Sequence, residues 1–161
     1  MTRALSSFVL IALLSAALAA LSLAVAQKGY PHGAAGLRRL DGIASATTFI
    51  PIAALYFLSA LLLMILPMRA ASFVLVHATD KLFWTAIALL AAIAGILAAK
   101  AAFGQRAALW ALADWQFAFA AATIGCHFLL NELRRNVLSR SIGFVLFLAA
   151  TLACLFWTFR F

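Results

Sequence analysis

Leu82 to Phe103, LFWTAIALLAAIAGILAAKAAF, is the stretch that decides the fold. A bilayer's hydrocarbon core is about 30 Å thick and takes about 20 consecutive apolar residues to cross as a helix. This run is that long, and its single charge, Lys100, stands near its end. A soluble helix buries one stripe and shows water the other, whereas this one has no polar face. Working outward, the pattern repeats. Apolar runs fill Leu5 to Ala26, Ala46 to Pro67, Ala107 to Leu130 and Ile142 to Phe159.

Composition agrees with that reading. The chain has 161 residues, of which 68% are apolar and 10% charged. Soluble domains are about 45–50% apolar and about 25% charged. Mean hydropathy is +1.13. These values exclude a disordered chain, a collagen, a coiled coil and a disulfide scaffold. The expected fold is all-α, a polytopic membrane helix bundle forming a single integral domain over 1–161. Five transmembrane helices are expected, at about 5–26, 46–67, 82–103, 107–130 and 142–159.

The first run fits two descriptions. It follows Arg3 and ends Ala24-Val25-Ala26, which is the layout of a secretory signal with an A-x-A cleavage site. Cleavage would leave four spans. The apolar stretch is longer than the usual signal core of about 7–15 residues, so an uncleaved first span is expected. Between the first two runs, Gln27 to Ser45 carries Pro31, Gly33 and Gly36 and reads as a loop, with one interfacial turn over Gly36 to Gly42. Met68 to Lys81 is too short to span and either lies in the interface or extends the third span.

Twelve bases face four acids, a net charge of +8. The bases lie between apolar runs, so they act as topology signals and lipid contacts rather than as a nucleic-acid surface. With five spans, one side holds Arg3, Arg69, Lys81, Arg134, Arg135 and Arg140. The other holds Lys28, Arg38, Arg39, Lys100, Arg106 and Arg160. The two counts are equal, and the signal-like N-terminus tips the expectation to a cytoplasmic N-terminus. Richness in alanine and leucine associates the chain with a bacterial inner membrane. Trp84, Trp110, Trp115 and Trp157 lie near span ends, where an aromatic belt sits.

Two stripes of small residues recur at four-residue spacing: Ala16, Ala20 and Ala24, then Ala91, Gly95 and Ala99. Such faces let helices approach closely, within this chain or with another subunit.

Three constellations carry candidate chemistry. His77 and His127 fall on the same side of the five-span topology. They either clamp a haem b iron axially, hold a divalent metal with Asp80 and Glu132, or are interfacial residues with a hydrogen bond each. Asp114 lies inside the fourth run, where a carboxylate needs a partner. Lys100 is the expected one, with Arg106 able to reach by snorkelling, making either a register-fixing ion pair or a proton- or cation-coupled site; alternatively the fourth span begins near Trp115 and Asp114 lies in the interface. Arg134, Arg135 and Arg140 form a basic loop suited to anionic lipid head groups. No metal site is assigned, and neither a nucleophile elbow, a P-loop nor a dinucleotide fingerprint occurs. Cys126 and Cys154 stand apart from any C-x-x-C. With no catalytic set in view, the leading expectation is an accessory or assembly subunit of a larger membrane complex. A haem-binding electron-transfer subunit and a small transporter through Asp114 are the alternatives.

Overall fold

Gly29 and Gly104 punctuate the chain in the same way, and their geometry shows why the helices end where they do. Both have positive φ, 82° and 95°. At Gly29 the amide donates to the Ala26 carbonyl at 3.0 Å, and the Tyr30 amide donates to Val25 at 3.4 Å. At Gly104 the amide donates to Ala101 at 3.1 Å, and Gln105 donates to Lys100 at 3.0 Å. This is the Schellman arrangement, which satisfies the last carbonyls of a helix and requires a left-handed residue that glycine supplies without a Cβ penalty.

The computed structural model describes residues 2–43, 46–65, 69–113 and 115–159, with the side chains of 2, 46–48, 69–72, 112, 115–120 and 131 outside the described set. The helices are α1 Thr2–Gln27, α2 Pro31–Ile43, α3 Ala46–Ile65, α4 Arg69–Ala102, α5 Trp115–Arg135 and α6 Val137–Phe159, with a 3-10 segment Arg106–Ala113 before α5. No strand occurs among the described residues. Among the described residues, three helices are long and apolar enough to cross a membrane, over Arg3–Gln27, Phe73–Ala102 and Val137–Phe159. Phe49–Ile65 and Ala121–Leu130 are shorter apolar helices.

Several boundaries differ from those expected of the sequence. The expected loop 27–45 contains α2. Pro31 opens it at the first helical position, where a missing N–H costs nothing. Gly33 and Gly36 are packing residues rather than turn residues. A Cβ on Gly33 would lie 2.3 Å from the Ala26 nitrogen, and one on Gly36 would lie 3.0 Å from the Ser22 hydroxyl. The stretch before the third run takes the second of its two expected forms and extends that run's helix, since α4 is unbroken from Arg69. The fourth run does not begin as an α-helix at Ala107; it starts as the 3-10 segment and becomes α-helical at Trp115. The basic stretch 131–141 is nearly all helix, with a break at Asn136 between α5 and α6.

The chain divides into two compact units. The first is Met1–Thr48 with Ile87–Ala118, and the second is Phe49–Ala86 with Phe119–Phe161. In the first, α2 folds back on the last turns of α1, and both pack on the second half of α4. Ala19, Leu23, Ile96 and Ala99 form its core, flanked by Ala16, Ala20, Leu37 and Leu40. A Cβ on Gly95 would stand 2.2 Å from the Ala12 carbonyl oxygen. The two small-residue stripes therefore pack on each other. In the second unit, Tyr56, Phe57 and Ile50 of α3 are buried with Phe147 of α6. The Phe57 and Phe147 rings lie 5.9 Å apart.

Candidate functional site

The second unit gathers polar groups where the end of α3, the first half of α4 and the end of α5 meet. Asp80 and Phe83 sit three residues apart on α4, hence on one face, and together they hold the His127 ring of α5. The Phe83 and His127 rings stack with centroids 3.9 Å apart and planes 13° apart. His127 Nε2 lies 3.5 Å from Asp80 Oδ1. Its Nδ1 lies 3.2 Å from the Tyr56 hydroxyl. The tautomer protonated at Nε2 suits both neighbours: Nδ1 then accepts from the phenol, and the Nε2–H lies on the side of the carboxylate, too far for a hydrogen bond at 3.5 Å. Tyr56 is fully buried, the His127 side chain is 18% exposed and that of Asp80 52%. The three form a path from the interior of the unit to its surface.

A second polar link runs beside it. The Ser59 hydroxyl donates to the Tyr56 carbonyl at 2.8 Å. The Thr79 hydroxyl lies 3.1 Å from Ser59 Oγ and 2.7 Å from the Leu75 carbonyl. Both residues are buried, and this pairing satisfies hydroxyls that lipid or apolar core would leave bare.

Next to these groups lies a cavity of about 140 Å³, lined by Leu63, Val76, Thr79, Asp80, His127, Leu130 and Arg134. It is smaller than the roughly 300–1,000 Å³ of pockets that enclose drug-sized ligands. Its lining combines aliphatic residues with an aspartate, an arginine, a histidine and a threonine.

The sequence matches no family model, no curated protein and no solved structure.

The candidate residues divide accordingly. His127 lines the cavity, whereas His77 is exposed, stacks on Phe73 at 5.6 Å and is not among the lining residues. The structure does not bring the two imidazoles to one cavity. Glu132 pairs with Arg135 at 3.4 Å rather than with a histidine. Among the described residues, no three His, Cys, Asp or Glu side chains gather as a metal site. Lys100 is bonded to the Asp41 carboxylate of α2 in the first unit. Asp114, its expected partner, lies outside the described residues.

The three arginines have separate surroundings. Arg134 lines the cavity, Arg135 holds Glu132, and Arg140 Nε donates to the Met64 carbonyl at 2.6 Å, capping the end of α3. Sequence reasoning misses Tyr56, because a tyrosine in an apolar run reads as core. The available signal is weak: Tyr56 and Ser59 share one face of a run that is otherwise apolar.

Proposed function

We propose that the chain is a five-span integral membrane protein in which Asp80, His127 and Tyr56 carry protons at one face, as part of a small proton- or cation-coupled carrier. The observation that carries this reading is the row of a buried phenol, an imidazole hydrogen-bonded to it and a half-exposed carboxylate 3.5 Å beyond the imidazole. Ionisable groups inside membrane bundles are costly and mark function by default. Asp80 takes the role that the sequence offers to Asp114.

Length supports α3 and α5 as the two further spans. They contain 20 and 21 residues, and at a rise of 1.5 Å per residue each reaches about 30 Å. The Lys100–Asp41 pair supports the same count. With five spans, the α1–α3 connection and the end of α4 share a face; with three, they lie on opposite faces. A cytoplasmic N-terminus in a bacterial inner membrane puts the cavity on the cytoplasmic side.

A second reading, the accessory subunit, rests on a different observation. Only 11% of the apolar stretch of α1 and 22% of that of α6 is buried inside the chain. Leu5, Leu10, Leu13, Leu14 and Leu18 all point outward, toward lipid or a partner span.

One preparation tests both. The chain is extracted gently and weighed by native mass spectrometry, then reconstituted into vesicles holding a pH-sensitive dye. The carrier reading expects proton flux above that of empty vesicles, reduced about tenfold or more in Asp80→Asn and His127→Ala, a modest share of what general acid–base groups contribute. Flux equal to that of empty vesicles overturns it. The subunit reading expects a second protein bound to the 17.2 kDa chain, and it fails if the chain is extracted alone.

A further inference from the structure

We infer that the cavity beside His127 binds a compact zwitterion, its ammonium end on Asp80 and its anionic end on Arg134. This goes beyond proton transfer and does not depend on it, because Arg134 has no part in the Tyr56–His127–Asp80 path.

The argument starts from charges that share a cavity without bridging each other. Asp80 and Arg134 both line it, yet the side chain that Asp80 approaches is His127. Among the described residues, Arg134 has no carboxylate partner. Its neighbours do have partners: Arg135 holds Glu132 and Arg140 holds the Met64 carbonyl. A half-buried arginine beside a cavity, with no carboxylate in contact with it, leaves its charge to be met by something else.

The sign of the lining selects the ligand. A simple anion would meet the Asp80 carboxylate, and a simple cation would meet the guanidinium. A group with both charges a few ångströms apart satisfies both. Thr79 and His127 add hydrogen-bonding capacity, and Leu63, Val76 and Leu130 supply an apolar wall for the linking carbons. Size sets an upper limit. An engineered cavity of about 150 Å³ holds one benzene, so about 140 Å³ suits a ligand of similar bulk.

Access gives the site two sources of such a ligand. The Asp80 side chain is half-exposed, and Arg134 stands near the charged end of α5. The cavity therefore opens to the surface of the unit, within reach of an ethanolamine phospholipid and of a free amino acid from solution. Both present a primary ammonium and an oxyanion.

The test uses the delipidated full chain in a nonionic detergent. Binding is titrated by thermal shift and native mass spectrometry with short-chain phosphatidylethanolamine, short-chain phosphatidylglycerol, phosphoethanolamine and glycine. The zwitterionic probes are expected to bind about tenfold or more tightly than phosphatidylglycerol, the scale set by one charge-assisted hydrogen bond. Arg134→Gln and Asp80→Asn should each cost a similar factor. Arg135→Gln makes the same charge change outside the cavity and should leave binding intact. Binding of the lipid alone identifies a head-group site, and binding of phosphoethanolamine or glycine identifies a soluble ligand; either supports the inference. It is overturned if no zwitterion binds, if phosphatidylglycerol binds as tightly, or if Arg135→Gln weakens binding as much as Arg134→Gln. Proton flux is measured separately, so its failure and the failure of zwitterion binding are distinguishable.

Discussion

His127 is the residue on which most of the second unit's polar network turns. It accepts from a fully buried phenol, faces a carboxylate and stacks on Phe83. Removing one partner of a buried hydrogen bond costs more than removing the bond cleanly, because the remaining group stays desolvated and unpaired. His127→Ala therefore destabilises by about 1–3 kcal/mol for the orphaned Tyr56 hydroxyl, with the lost ring contact in addition. Tyr56→Phe leaves the His127 Nδ1 without its donor, but that ring keeps some access to solvent where the phenol has none, so it costs less, about 0.5–1.5 kcal/mol. The double variant costs less than the sum, since the two side chains share one interaction. Thermal unfolding in detergent, followed by circular dichroism, ranks the three. A His127→Ala variant no less stable than Tyr56→Phe would show that the imidazole does not hold the phenol.

At the scale of elements, close backbone approach decides the packing of the first unit. Gly33 brings α2 against the backbone of α1, and Gly95 brings α4 against Ala12. A methyl group at either position meets main-chain atoms, which cannot swing aside as a side chain can. Gly33→Ala and Gly95→Ala should each destabilise by about 1–3 kcal/mol, the range for overpacking. Gly125 is the internal control. It lies within α5 with nothing within 4 Å of its would-be Cβ, so Gly125→Ala should stabilise by about 0.5–1 kcal/mol through helix propensity. If all three substitutions have the same effect, the close approach at Gly33 and Gly95 is not what holds the unit. These elements also show what a sequence discloses by itself. The stripes of Ala16 and Ala20 and of Ala91, Gly95 and Ala99 are periodic and local, so spacing alone reveals them. The helix α2 is hidden because Pro31, Gly33 and Gly36 are turn residues by local rules, and only contact with α1 explains their helical use. Asp80 and His127 can be named together from the sequence, but their meeting with Tyr56 depends on three helices packing, which no local pattern encodes.

For the whole molecule, the number of crossings governs everything said about faces, and two groups of residues discriminate between the counts. If α3 and α5 cross, the connection after α1 and the turn at Gly104 lie on one face and the α5–α6 break on the other. If only α1, α4 and α6 cross, the first connection faces the turn across the membrane, and the turn joins the α5–α6 break. The ion pair between Asp41 and Lys100 supports the first arrangement, because in the second a hydrocarbon core of about 30 Å would separate the two charges. Single cysteines introduced as Lys28→Cys, Gln105→Cys and Asn136→Cys, in a chain with Cys126→Ala and Cys154→Ala, turn this into a measurement. All three positions are exposed. In oriented membranes, a membrane-impermeant thiol reagent should label residues 28 and 105 from the same side and residue 136 from the opposite one. With the N-terminus cytoplasmic, the first pair reacts from outside, and residue 136 reacts only after the membrane is opened. Labelling of 105 together with 136, and opposite to 28, would reduce the count to three and take Asp41 and Lys100 out of reach of each other. It would also leave α3 and α5 on opposite faces of the membrane, parting Tyr56 and Asp80 from His127 and Arg134. The proton path and the cavity therefore both fall if the count is three, and the labelling tests that before any flux is measured.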